Sequence, residues 1–304
     1  MPSEPTSPDR VLFGVALRLG SVFSFAVMNA LIKLAEGGGA KLPEVLFFRQ
    51  AFAIPLVVAV VAAGPGLASL RTQRIGAHLL RTAVGLLSMC FVFSTVLMLP
   101  LAESITLQFT LPIFATILGA LVLRERTGWH RWSAVILGFV GVVIVTGPGS
   151  GHIPLIGVVT GLMGALLSAT VSILLRQIGK TEAPATTVFY FSLLSVPPLG
   201  IAFALYATPH HWSTWGWLIA TGMMGGLAQI FMTASLKHAP VSVVTPMDYT
   251  GLVWATLLGW LLFNTLPGWA TWAGAPLIIA SGLYIVWREH RLHKRPLVVE
   301  AISD

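Results

Sequence analysis

PVSVVTPMDYTGLVWATLLGWLLFNTLPGWATW, residues 240–272, sets a carboxylate, Asp248, two residues after a proline in a run otherwise suited to hydrocarbon. The chain also holds PLAESITLQFTLPIFATILGALVLRERTGWHRW at 100–132, and the two stretches lie on one another without a gap. Ten positions are identical: Pro100/Pro240, Thr110/Thr250, Ala115/Ala255, Thr116/Thr256, Leu118/Leu258, Gly119/Gly259, Leu121/Leu261, Gly128/Gly268, Trp129/Trp269 and Trp132/Trp272. Leu and Ala match by chance in apolar text, but a shared Gly-Trp-x-x-Trp beyond the apolar run does not. Upstream, GVALRLGSVFSFAVMNALIK (14–33) aligns with GVVTGLMGALLSATVSILLR (157–176), and Phe47 and Pro55 fall on Phe189 and Pro197. The chain is written twice.

Composition says what solvent the copies need. Only 10% of the 304 residues are charged and 56% are hydrophobic, against about a quarter charged in an ordinary soluble domain. Lipid wets such an exterior, so the expectation is an integral membrane protein. A net charge of +7 raises nucleic acid as a partner, but the positive charges sit in short clusters between apolar runs, as topogenic charges do. No nucleic-acid partner is expected. The single cysteine, Cys90, rules out a disulfide framework. The eight histidines, among them His78, His152, His210 and His211, are scattered over loops and ends without metal-ligand spacing. His210–His211 reads as a solvated loop, and neither metal nor cofactor is expected. The polar start MPSEPTSPDR leads into a run long enough to span, without a small-residue cleavage site in register, so no cleaved leader is expected.

A bilayer core about 30 Å thick takes about 20 apolar residues per helix. Ten runs qualify, near 11–34, 43–63, 76–98, 101–123, 131–147, 154–176, 184–206, 215–236, 240–262 and 269–287. With the N-terminus in the cytoplasm, fourteen of the eighteen Lys and Arg fall inside, and only Lys33 and Lys41 outside. Arg18 and Arg49 lie within spans. The predicted fold is all-α, ten transmembrane helices in two five-helix copies. A cytoplasmic tail (1–10) precedes the first repeat (11–147); the second repeat (154–287) precedes a basic tail (288–304), with both termini cytoplasmic. Five is odd, so the second copy enters the membrane from the opposite side. Inverted repeats of this kind build secondary transporters, with the site near midplane between the copies. Duplication without transport is the competing reading.

With these motifs in place, the chain resembles the drug/metabolite transporter superfamily, and its halves resemble EamA-type domains. LRERTGWHRWSAVILGFVGVVIV (123–145) carries part of that likeness over a match spanning nearly all the chain past residue 10. More narrowly, FFRQAF (47–52), LPLAESITLQFTLP (99–112) and TPMDYTGLVWATLLGWLLF (245–263) are similar to riboflavin and S-adenosylmethionine carriers. The second repeat departs from the first, with NTLPG (264–268) where the first has RERTG (124–128). Loss of charge there agrees with an extracellular turn. The resemblance implies a cytoplasmic-membrane, multi-pass carrier of a small organic metabolite.

The candidate site comes from polar groups that lipid does not tolerate, since a charge at mid-helix costs about 3 kcal/mol on insertion scales. At about 1.5 Å per residue, Arg18 lies roughly 10 Å from the cytoplasmic end of the first span and Asp248 roughly 12 Å along the ninth. Opposite charges meet at one depth. Arg49 enters from the other side to roughly 9 Å, and Gln108, the repeat counterpart of Asp248, to a similar level. Each copy thus carries a polar group, an aromatic and a threonine in sequence: QFT and DYT. Gln108, Thr110, Asp248, Tyr249 and Thr250 are expected to line a central cavity. Arg18 neutralises Asp248, Arg49 meets an anionic or carbonyl-rich substrate group, and Asn29 and Gln229 complete the set. The bland readings are a packing ion pair for Arg18–Asp248 and snorkelling to the interface for Arg49. Glu44, Glu103 and Arg81 fall at helix ends, where solvated or capping roles are expected.

Pro246 and Pro112 delete helical hydrogen bonds near these motifs. Gly157/Gly161 and Gly222/Gly226 have the spacing of close helix packing, with a homodimer as the secondary reading. Trp212, Trp215, Trp217, Trp269 and Trp272 sit where interfacial belts form. The chain has no GxxxxGK[ST] loop, so transport would draw on a gradient or exchange, and Asp248 is placed to carry a coupling proton. No nucleophile, base or metal cluster supports a membrane enzyme, so no catalytic residue is expected. A non-transporting scaffold is the remaining class.

Overall fold

The computed structural model describes residues 8–64, 66–121, 129–146, 154–179, 181–239 and 241–293. The Arg124-Glu125-Arg126 turn, Pro240, Lys180, His152, residues 1–7 and residues 294–304 of the basic tail lie outside the described residues. All regular structure among the described residues is helical. The order is α1 (Pro8–Gly37), α2 (Leu42–Ala51), α3 (Ala53–Ala63), α4 (Ile75–Met98), α5 (Leu101–Gln108), α6 (Leu111–Leu121), α7 (Trp129–Thr146), α8 (Leu155–Ile178), α9 (Pro184–Tyr206), α10 (Trp212–His238), α11 (Val241–Val244), α12 (Gly251–Phe263) and α13 (Trp269–His293). Two 3-10 segments, Leu67–Leu70 and Thr245–Thr250, complete it.

Eight segments are long and apolar enough to cross a bilayer: Asp9–Gly37, Leu42–Ala63, Ile75–Met98, Leu101–Leu121, Leu155–Leu175, Ala185–Tyr206, Trp212–Ser235 and Trp269–Arg288. Two of the ten expected runs are thus absent from that set. The fifth is α7, whose apolar stretch Trp132–Thr146 is short. The ninth is broken into α11, a 3-10 turn and α12. Exposed Ile136, Leu137, Val140 and Val143 make one side of α7 a face for lipid. Trp212, Trp269 and Trp272 are exposed near helix starts, as an interfacial belt requires. Trp215 and Trp217 instead pack partly buried against the larger apolar core.

The helices pair as α1 with α10, α4 with α8, α7 with α13, and α2 with α9. Small residues permit the closest of these. A Cβ at Gly141 would meet the Gly274 carbonyl oxygen at 2.9 Å, so α7 and α13 touch backbone to backbone. The expected glycine pairs are likewise consumed inside the chain. Gly157 and Gly161 receive Leu99 and Leu107, and Gly222 and Gly226 receive α2 and the start of α3.

Of the solvated or capping roles expected for acids at helix ends, Glu44 takes the capping one. Glu44 is fully buried and closes a capping box, with Lys41 N–H donating to its Oε2 at 2.7 Å. Its other oxygen lies 2.7 Å from His210 Nε2 and accepts from Thr208 N–H at 3.3 Å. The expected solvated His210 is therefore corrected: its side chain is 3% exposed because Glu44 needs a partner there. His211 is the N-cap of α10, accepting from Ser213 N–H. His78, also expected at a solvated end, is buried against Tyr190 with Glu182 3.8 Å away. Glu103 is buried too and accepts from Thr271 Oγ1 at 3.1 Å, tying α5 to α13.

Candidate functional site

The two related motifs fall where helices break. α5 ends at Gln108, Phe109 and Thr110 form a turn, and α6 restarts with Pro112 in its first turn. In the second copy, Thr245–Thr250 is a 3-10 segment with Pro246 in its first turn, and α12 starts at Gly251. Proline has no N–H to give, and a threonine hydroxyl takes up a carbonyl at each break. Thr110 Oγ1 donates to Leu107 O at 2.7 Å, and Thr250 Oγ1 to Met247 O at 2.7 Å. These threonine hydroxyls hold the breaks.

Each break aims its neighbours inward. Phe109 and Tyr249, the motif aromatics, meet edge-to-face at 4.9 Å. Tyr249 also presses its hydroxyl against Gly282 of α13, where a Cβ would collide with it. Asp248 receives a two-pronged fork from α1: Arg18 Nε donates to Oδ1 at 2.6 Å and Nη2 to Oδ2 at 2.5 Å. The carboxylate side chain keeps 38% of its surface accessible, so the fork does not cover it. Gln108, the counterpart of Asp248, leaves its buried Nε2 without a partner.

The remaining expected residues part company. Asn29 lies eleven residues beyond Arg18 on α1, which returns it to the same helix face about 16 Å away. Arg49 is buried between α2, α4 and α10, in a group separate from Arg18–Asp248. It does not snorkel. Gln229 is not brought to the motifs; it lines a small cavity of about 110 Å³ with Val57, Val61, Ala185 and Val188. Arg81, expected at a solvated end, is buried with its guanidinium 3.6 Å over the Phe191 ring. Its place six residues into α4 concealed that the ring of α9 lies across it. Gln50, beside Arg49, is a buried polar residue that sequence reasoning passed over. A two-residue polar step on one helix, Arg49-Gln50, was the available signal.

A cavity of about 720 Å³ opens between the ends of α1, α4, α10 and α12, lined by Lys33, Gly38, Met98, Thr214, Trp217 and Phe263 among others. Lys33 is fifteen residues along α1 from Arg18, so the cavity and the ion pair lie at opposite ends of the bundle, about 22 Å apart. The arrangement suits binding from one side and closure on the other.

Comparison with known proteins gives the family of the chain. The EamA-like transporter family model matches residues 12–147 and again 155–287. A riboflavin transporter of Vibrio cholerae is 30% identical over 288 residues, covering 93% of this chain and 96% of that protein. The pseudopaline exporter CntI of Pseudomonas aeruginosa is 30% identical over 279 residues, covering 90% of this chain and 95% of the exporter. An S-adenosylmethionine uptake transporter of Rickettsia conorii is 26% identical over 254 residues, 83% of this chain and 85% of that one. One solved structure shares the fold at a TM-score of 0.61 and 20% identity, covering 95% of this chain and 99% of the other. Matched by one family model in both halves, and full-length against transporters, this multi-pass membrane chain belongs to the EamA-like transporter family.

Proposed function

We propose that this chain is a secondary carrier of a small organic metabolite, working by alternating access between two inverted five-helix copies at 11–147 and 154–287. Both termini are cytoplasmic in this reading, and α7 and the broken segment Val241–Phe263 complete ten spans. The packing supports the repeat. Exchanging the copies turns the α1–α10 pair into α8–α4, and leaves α2–α9 and α7–α13 as pairs of counterparts. Discontinuous helices at equivalent places in two halves are the usual mark of a transport site.

The observation that carries the proposal is the opposition of open and closed ends. Arg18–Asp248 clasps α1 to the broken ninth segment at the cytoplasmic end, while the 720 Å³ cavity opens at the outer end. In this reading the state is outward-open. Asp248 and Arg18 form the inner gate, and Gln108, Tyr249 and Asn29 belong to the path above it. With no nucleotide-binding loop in the chain, transport in this reading draws on a gradient or on exchange. The solute favoured is flat and polar, riboflavin first, with export of S-adenosylmethionine or an amino-acid-like metabolite as the alternative within the same superfamily.

Purified chain in proteoliposomes tests the reading. Saturable uptake of at least one of riboflavin, S-adenosylmethionine or an amino-acid panel, without ATP, is expected. Flux that rises linearly with concentration for every solute contradicts it.

A further inference from the structure

Arg49 and Arg81 take no part in the gate, yet each is only 7% exposed within a membrane-crossing helix. Arg49 Nη1 donates to Gln50 Oε1 at 2.9 Å and contacts Met89 Sδ at 3.5 Å, with its guanidinium 5.5 Å from the Phe93 centroid. Arg81 lies over Phe191. Arg49 Nε, Arg81 Nε and Nη1, and Gln50 Nε2 are all buried without a hydrogen-bond partner. Among the described residues, neither arginine has a carboxylate in ion-pair range.

The two guanidiniums lie along one face of α4. Positions 81, 85, 89 and 93 recur every fourth residue and share a face of α4. Arg81 turns along that face, with Nη1 3.2 Å from where a Gly85 Cβ would stand. Arg49 meets the same face at Met89, one turn further and so about 6 Å along the axis. Met28 of α1 and Gly225 of α10 close the far wall beside Arg49. The outer cavity reaches α4 at Met98, five residues or about 7 Å beyond Phe93.

Packing alone does not account for this pair. A charge in mid-membrane costs about 3 kcal/mol. An aromatic face returns about 1–2 kcal/mol, while each buried unmade donor costs about 1–3 kcal/mol. Two like charges one turn apart add repulsion. What the pair lacks is negative charge with several acceptor oxygens, which a guanidinium fork takes from carboxylate or phosphate. We propose that Arg49 and Arg81 together bind an organic oxyanion carrying two negative charges on a flat apolar body. This rests on the carrier reading above and moves its solute from neutral riboflavin to an anionic metabolite.

The test uses the purified full chain in nanodiscs with three probes of similar body: terephthalate, phenyl phosphate and neutral terephthalamide. The thermal midpoint of the unmodified protein is expected to rise with at least one charged probe at concentrations where terephthalamide has no effect. A response to terephthalate identifies carboxylate as the oxyanion, and a response to phenyl phosphate identifies phosphate. Arg49→Gln and Arg81→Gln each weaken that probe at least about tenfold, while Arg49→Lys and Arg81→Lys, which keep the charge, retain part of the affinity. Equal shifts with neutral and charged probes overturn the proposal without recourse to any variant. So does unchanged probe affinity in a folded Gln variant. Saturable proteoliposome flux of a neutral solute with no charged-probe binding sinks the anion site and leaves the carrier. Charged-probe binding with no flux of any solute supports the site and sinks the carrier.

Discussion

Replacing Asp248 with asparagine keeps the size of the side chain and removes its charge, which tests the inner gate at a single atom's cost in shape. Arg18 makes two contacts to the carboxylate, at 2.6 and 2.5 Å. Hydrogen bonds to charged groups are worth about 1.5–3 kcal/mol, and exposed ion pairs only about 0.2–1 kcal/mol. Asp248 is 38% exposed and Arg18 12%, so the pair lies between these limits. A loss of about 2 kcal/mol is expected, which converts to about a 30-fold shift in the gate equilibrium. Spin labels on Leu12→Cys and Val243→Cys, both exposed, read the cytoplasmic end in a Cys90→Ala background. The distance distribution is expected to move to a longer component in Asp248→Asn and in Arg18→Gln. Exchanging the charges, Arg18→Asp with Asp248→Arg, is expected to recover much of the closed component, because the coupling belongs to the pair. Unchanged distributions in both single variants refute the gate.

Gly282→Ala puts a methyl where the Tyr249 hydroxyl rests; an overpacking cost of about 1–3 kcal/mol and reduced uptake are expected, and Tyr249→Phe in the same chain should recover part of both in melting and flux assays. Gly274→Leu drives a side chain into the Gly141 carbonyl and Val145, where backbone cannot yield; a loss of about 3 kcal/mol or more should show as a lowered melting midpoint in detergent, with no selective effect on affinity. Glu44→Ala leaves His210 and two backbone donors without their acceptor, so a loss of about 1–3 kcal/mol is expected in the same melting assay, with solute affinity unchanged.

The chain's lipid-facing character and its doubled motif were legible because both depend on runs of side chains rather than on geometry. The Arg18–Asp248 pair was legible too, since helical rise alone puts two opposite charges at one depth. The break at Thr245–Thr250 was harder to see. A proline marks it, but whether proline kinks a helix or replaces a turn with 3-10 structure depends on what packs beside it. Gln229 misled because mid-helix polarity says nothing about which face a residue occupies. It points between α3, α9 and α10 rather than toward the motifs. Arg81 and His210 misled for the opposite reason. Their positions near helix ends suggest solvent, yet each is covered by a partner distant in sequence: Phe191 for Arg81 and Glu44 for His210. Glu44 does cap its helix, as its position suggests. Depth is written in one dimension; cover is not.

The central claim, that one site is exposed alternately to the two sides, is tested most directly by counterflow. Proteoliposomes holding the purified chain are preloaded with an unlabelled transported solute, and entry of the labelled solute is timed. The account predicts faster initial entry into preloaded vesicles than into empty ones, because the loaded carrier returns more readily than the empty one. Entry at one rate regardless of internal solute contradicts it, and leaves a passive pore in its place.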